Sequence, residues 1–440
     1  MSGVGGVSTV NPVAVTAVTD PRAHWLAAAT ETAAGLPPEL APPELRAAAR
    51  TRFERLGLPS RTLEAWRTTD IAPLRGLEPR RAGTGRAPDA GWLAGLPAGP
   101  RVVLVDGRVH AIETGELPAG VSVLGFAEAA RRLPQVLAAL DTLPGLDAHA
   151  FAALNSALFE DGVLVHVAAG ARLDALTLAH WSSGDGTAVH PRLLLVLEDG
   201  AGAGLLEWQG GQGTYLSTAL TEVRLGRGAQ LALSTVQDES AEAFQLGGLR
   251  AQLAADAKFS LRRWVGGGRI GRMDLALTLE GEGAAAELDG LVLAGGTQLL
   301  DHHLELRHAV ARCTSRQTFR GVLAGKAKHV FDGLIRVDPD AQQTDAQQQC
   351  RNLLLSKQAL TVAIPRLEIL ADDVKCAHGA TVGALDEDAL FYLRARGIGL
   401  AEARTLLVRA FAGEFLDALT DEAMRAALET RLDAWMEVAA

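Results

Sequence analysis

"GAQLALSTV", residues 228–236, opens on a glycine and an alanine and continues as an apolar run. The same opening, a small or acidic residue and then alanine, recurs at Gly170-Ala171, Gly200-Ala201, Asp256-Ala257 and Gly283-Ala284. Successive copies lie 30, 28, 28 and 27 residues apart. A sustained period in this range, built from short strands and tight turns, marks a solenoid or a propeller. The uneven spacing and the missing Trp-Asp blade signature favour a parallel β-helix, whose coils stack strand on strand. A large β-sandwich would leave the near-constant period unexplained.

Working outward, strand-like runs punctuated by Gly and Asp, such as "RVVLV", "GVLVHV", "RLLLVLE" and "LDGLVLAG", extend from about residue 101 to 383 and define the β-helix core. On the N-terminal side the chain reads as a flexible tail (1–20), then a helical domain and linker (21–100). Asp20 and Pro21 start a first helix that Gly35 stops, and "PPELRAAARTRFERLG" forms a second ended by Gly57. The Gly/Pro/Arg/Ala-rich stretch 76–100 is the linker. Beyond Gly383 the period turns helical again, giving a C-terminal helical domain over 384–440. Asp386 caps "EDALFYLRAR", which Gly397 stops; Leu400, Ala403, Leu407, Phe411 and Phe415 share one helical face. Met424, Leu428, Leu432 and Trp435 share another behind a cap at Thr420. A solenoid end exposes unpaired edges, so part of this block serves as a cover and its surplus apolar surface as a docking face.

Composition narrows the function. The 440 residues are 48% apolar, enough for a large interior. The formal net charge of -10 and the absence of a basic run argue against phosphate-backbone recognition. The N-terminus lacks a basic segment before an apolar core, and no apolar run reaches the ~20 residues of a membrane span, so a cytoplasmic chain without membrane contact is expected. Cys313, Cys350 and Cys376 are too few and odd in number for a disulfide framework, and read as free thiols.

The chemistry-bearing motifs are sparse. There is no P-loop, and "GGGRIG" at 266–271 sits between strands with no helix after it, a poor dinucleotide loop. In "DHHLELRH" strand alternation puts His303 with Glu305 and His302 on the opposite face, splitting Asp301, His302, His303, Glu305 and His308 as a metal site. A stacked coil can bring Cys313 near His308. "CAHG", Cys376 to Gly379, places a thiol and an imidazole at i, i+2, on one face of a strand. Those are ligands for iron, copper or zinc, but two cannot complete four-coordination. A Cys-His hydrolase and a buried structural thiol remain alternatives on spacing alone.

Longer stretches carry more. "FRGVLAGKAKHVFDGLIRV" (319–337), "TDAQQQCRNLLLS" (344–356), "PRLEILADDVKCAHGATVGALDEDALFYLRARGI" (365–398) and "AFAGEF" (410–415) follow one another in order. With "GLPSRTLEAWRTTDI" (57–71), they resemble the SufB/SufD family of the SUF iron–sulfur cluster assembly machinery, in its SufD version. Residues 76–300 are similar in texture only. The resemblance implies a right-handed parallel β-helix with flanking helical domains, acting as a scaffold rather than an enzyme. It implies pairing with SufB, recruitment of the SufC ATPase by the C-terminal helices, and a transient cluster at the subunit interface with none bound in the isolated chain. Cys376 and His378 fall at its cluster-related positions; Phe391, Tyr392, Arg396, Phe411 and Phe415 are candidate ATPase anchors. A homodimer of the isolated chain is also compatible. Gln342, Gln343, Gln347, Gln348, Gln349 and Asn352 suit side-chain ladders between coils. The competing class is a solenoid lyase or hydrolase acting on carbohydrate, against which stand the 5% aromatic content and the missing export signal.

Overall fold

The computed structural model describes residues 43–439 apart from 78–79, 82–85, 89, 146–147 and 185, together with 25–27, 31 and 40. The tail at 1–20 and the Asp20, Pro21 and Gly35 signals of the first helix lie outside the described residues. From Arg172 onward the chain alternates between two sheets whose long strands all pair in parallel, a β-solenoid of about 8 turns. One sheet ends in the strands Thr314–Leu323, Thr344–Leu354 and Val374–Gly383; the other ends in Leu299–His308, Lys328–Val337 and Leu360–Ile369. Gln230 pairs with Lys258, Lys258 with Ala285 and Ala285 with Thr314, the period read from the sequence.

The repeated dipeptide is a corner. Gly170, Gly200, Gly228 and Gly283 have φ of 71, 69, 66 and 74°, the left-handed turn that glycine adopts without strain. Asp256 takes φ 58° in the same place, and two further corners, Arg312 (φ 61°) and Gln343 (φ 59°), continue the series. The residue after each corner points into the core: Ala201, Ala229, Ala257, Ala284 and then Cys313 and Thr344 are all buried. Corner N–H groups reach the next coil: Gly200 donates to the Arg227 carbonyl (2.8 Å), Gly228 to Ala255 (2.8 Å) and Arg312 to Gln342 (2.8 Å). A buried ladder of Leu, Val, Ala and Phe, from Val102 to Phe331, fills the space between the sheets.

Before the regular coils, the strand Arg101–Val105 joins the sheet beside Arg172–Ser182. The helix Pro43–Leu56 forms as read, closed by Gly57 (φ 65°) with its N–H on the Phe53 carbonyl. The stretch read as a linker holds a short helix, Ala90–Ala94, because Trp92 stacks on Trp181 at 5.0 Å and anchors it. The segment 57–71 is pinned to the outer face of the other sheet. Arg272 lies 3.9 Å from the Trp66 ring centre and donates to the Ala65 carbonyl and to Asp301, while Thr69 also donates to Asp301.

The C-terminal helices do not cover the solenoid end. Leu400–Leu416 and Glu422–Ala439 lie along the flank, on the outer face of the sheet ending in Val374–Gly383. Val408, Ala412, Phe415, Leu428 and Leu432 pack there against Val236, Trp264, Leu291 and Val322 from successive coils. The buried face of the first helix is Ala403, Val408, Ala412, Phe415 and Leu416, turned about one residue from the face read in the sequence. Leu400 consequently stays exposed and Leu407 half-buried. Asp386 caps Glu387–Arg394 as expected, accepting from the Asp388 and Ala389 N–H groups. Asp421, not Thr420, caps the last helix, since its carboxylate reaches the Ala423 and Met424 N–H groups.

Candidate functional site: the open end of the solenoid

Alternation along the last strands decides what this end presents. In Thr344–Leu354, Thr344, Ala346, Gln348, Cys350 and Asn352 are buried, facing the interior. Val374–Gly383 stacks on that strand with Ala346 opposite Cys376 and Gln348 opposite His378. Cys376 and His378 therefore share the interior-facing parity, as the i, i+2 spacing requires. Among the described residues no further coil lies above them: Val374–Gly383 and Leu360–Ile369 each pair on one side only. Cys376 is half-buried against the Ile335, Val337 and Leu367 group, while His378 is exposed. Across the end stand Ala363 and Pro365, stacked on Phe331 and Gly333.

Burial pushes the Cys376 thiol up, with Asp345 adding to it and the Ala346 backbone opposing. Binding a soft metal there would release a proton. Among the described residues no group of three or more His, Cys, Asp or Glu side chains is placed to hold a metal ion. Cys376 and His378 thus supply at most half of a four-coordinate set.

The other candidates scatter. His302 and His308 face inward and His303 and Glu305 outward, as alternation predicts. His308 hydrogen-bonds Ser315 (2.9 Å), while Cys313, holding a corner-alanine position, donates to the Gly281 carbonyl. Burial holds His302 well below its ordinary pKa and His308 and His329 at about 4, so these imidazoles are neutral core groups. Cys350 receives the Asn352 amide at 3.2 Å, and burial raises its thiol to about 12. The glutamines divide. Gln348 donates to Gln317 of the preceding coil (2.9 Å), and Gln342 accepts the Asp373 N–H. Gln343 is a corner, and Gln347 and Gln349 face solvent.

On the flank, Phe391 and Tyr392 are exposed by 74% and 56%, and Arg396 stacks on the Tyr392 ring. Phe411 is half-buried beside Arg351. Phe415 is wholly buried against Trp264, which removes it from any docking surface. An open cavity of about 330 Å³ lies nearby, lined by Leu355, Leu385, Leu400, Arg404 and Trp435.

Comparison with known proteins gives this end its context. The description "SUF system FeS cluster assembly, SufBD core domain" matches residues 180–411, more than half of the chain. The chain belongs to the SufBD family. The family's N-terminal region matches residues 100–177. Similar relatives include the iron–sulfur cluster assembly protein SufD of Escherichia coli, 30% identical over 86% of this chain and 89% of that one. A SufBD family protein of Synechocystis is 30% identical over 82% and 84%. Protein ABCI7, chloroplastic, of Arabidopsis thaliana is 29% identical over 73% and 71%. The SufBD core thus spans the regular coils, the open end and most of the first flanking helix. Among the described residues no helix is long and apolar enough to cross a membrane.

Sequence reasoning missed the Arg320–Glu414–Arg351 cluster that ties the flanking helix to the last coils. It also missed the exposed Leu360, Leu370 and Val382 around the open end. Three strands, Thr344–Leu354, Leu360–Ile369 and Val374–Gly383, follow the corner at Gln343 before the solenoid ends.

Proposed function

We propose that this chain is a SufD-type, non-catalytic scaffold subunit of the cytoplasm that pairs with SufB through the open end of its solenoid. The observation that carries this reading is the uncovered last coil, which offers Cys376 and His378 on one face between two unpaired strand edges. Such edges are templates for another chain's strands. Pro365 lacks an N–H and interrupts one of them, restricting which partner can pair. The iron–sulfur cluster is cargo here. A thiol and an imidazole from this chain, completed by ligands from the partner, form a mixed set from which a cluster can leave. An isologous homodimer through the same end is available to the isolated chain.

The flanking helices are the recruitment surface for the SufC ATPase, with Phe391, Tyr392 and Arg396 as exposed anchors and Phe411 at their margin. Truncating such an anchor costs about 2 kcal/mol of binding. Removing the helices outright would strip the apolar flank formed by Trp264, Leu291 and Val322, so the informative variant is Phe391→Ser with Tyr392→Ser.

The test is co-expression with SufB and SufC, with iron, sulfide and cluster absorbance measured anaerobically. His378→Ala should lower cluster yield with an unchanged melting temperature, and Cys376→Ser should lower it equally or less. The double anchor variant should lose SufC but keep SufB. Full cluster yield in His378→Ala would overturn the assignment of the open end.

A further inference from the structure

We propose that Gln348 is a positioning residue for His378: its side-chain carbonyl, which has no donor among the described residues, is the acceptor offered to the imidazole N–H when the ring turns inward, leaving the other ring nitrogen toward the partner and the cargo. The inference rests on the reading of the open end given above.

Three observations converge on Gln348. It is the register partner of His378, directly beneath it on the neighbouring strand and on the same inward parity. Its amide donates to Gln317 Oε1 at 2.9 Å on the coil below, so its nitrogen is engaged away from the open end. Its own Oε1 is buried and has no hydrogen-bond partner among the described residues. A buried side-chain oxygen without a donor is uncommon, and the nearest element above it in the stack is the strand that carries an imidazole.

The seat for this amide is built into the opposite sheet. A Cβ on Gly333 would lie 2.4 Å from Gln348 Nε2 and 3.0 Å from its Cδ, so glycine leaves the room that the amide fills. Gly333 is itself paired with Pro365 on Leu360–Ile369, the last strand of its own sheet, which places this seat under the open end rather than deep in the core. At this level the ladder ends in a free acceptor beneath a histidine.

The chemistry follows from the two ring nitrogens. A neutral imidazole carries one N–H and one lone pair, and the hydrogen bond made by one nitrogen sets what the other presents. With the N–H drawn inward by Gln348, the lone pair faces out of the solenoid. Partners of this kind change metal affinity by roughly 10–100-fold when removed.

The experiment uses the full chain labelled with ¹⁵N-histidine, its ring nitrogens observed near pH ~8, where an unperturbed imidazole is neutral, and His378 assigned through His378→Gln. The wild type should show one dominant tautomer at His378. Gln348→Leu should move the ring shifts toward a mixture of tautomers. Gln348→Glu, which still accepts and lets the Gln317 amide turn to donate, should restore them. In the complex with SufB and SufC, Gln348→Leu should lower cluster retention about tenfold. If Gln348→Leu does not fold, Gly333→Ala displaces the amide instead and should produce the same change. Unchanged His378 ring shifts in whichever of these variants folds overturn the proposal, even where His378→Ala still abolishes cluster assembly. The reverse pattern, shifted tautomers with undiminished assembly in His378→Ala, leaves the positioning intact and refutes the cluster role of the open end.

Discussion

Replacing Phe415 with alanine separates a docking residue from an internal fastener. Its side chain is wholly buried, 6.5 Å between ring centres from Trp264, within a layer joining the flanking helices to five or more coils. Full burial of a phenylalanine contributes about 1.5–3 kcal/mol by transfer from water. The cavity left by truncation brings such substitutions to about 3–5 kcal/mol. That loss falls on the attachment of the helix Leu400–Leu416 rather than on the coils, whose cores lie on the other side of the sheet. Amide hydrogen exchange reads it directly: at about 1.4 kcal/mol per decade, protection in this helix should fall by two to three and a half decades while the strands keep theirs. A fall of less than tenfold would show that Phe415 does not fasten the helix. Equal loss in helix and strands would show that flank and solenoid unfold as one unit.

Acid should loosen the same attachment. The Arg320 hydrogen bond, with Arg351 beside it, holds the Glu414 carboxyl below its ordinary value of 4.5. A depressed folded pKa stabilises above the unfolded value and loses that stabilisation as pH falls through the folded one. Helix protection should therefore drop below about pH 4.5 in the wild type and stay level across that range in Glu414→Gln. At the corners, Gly228→Val should cost about 1–2 kcal/mol in denaturant unfolding from the left-handed backbone alone. The reason is that its φ is 66° and a Cβ there meets nothing within 4 Å. Gly228→Asp should cost less, since Asp256 holds φ 58° one coil on. Equal costs would refute the conformational explanation. Thiol labelling of the native chain should modify Cys376 first, with Cys313 and Cys350 reacting only on unfolding; more than one fast thiol would contradict the burial of those two.

The solenoid was legible because its period is local: each corner needs a left-handed residue and a small buried one, and Gly-Ala writes both into adjacent positions. Where other residues serve, as at Arg312-Cys313 and Gln343-Thr344, the corner is invisible to a Gly-Ala pattern, and Cys313 reads as a possible ligand when it replaces an alanine. The parity of Cys376 and His378 was equally readable, because strand alternation depends on nothing distant. What covers an end depends on tertiary packing. The helices offered the apolar surface of a cover, yet Trp208, Trp264, Leu291 and Val322 on the outside of the sheet drew them to the flank. Those outward residues are interleaved with inward ones in near-continuous apolar strands, which hides the second buried face. The same packing turned Phe415 from a candidate anchor into core.

The single carboxylate of Glu414 has a mechanical reach beyond its contribution to docking. It grips Arg320 and Arg351, on two consecutive strands of one sheet, and Arg351 is the register partner of Thr381 on the strand that carries Cys376 and His378. Any force that lifts or slides the helix Leu400–Leu416 must either break this grip or drag the penultimate strand with it. Because that strand's backbone is laced to the last one along its length, the drag arrives at the open end as a shear between the two final rungs. A hand on the flank is thus a hand on the rim.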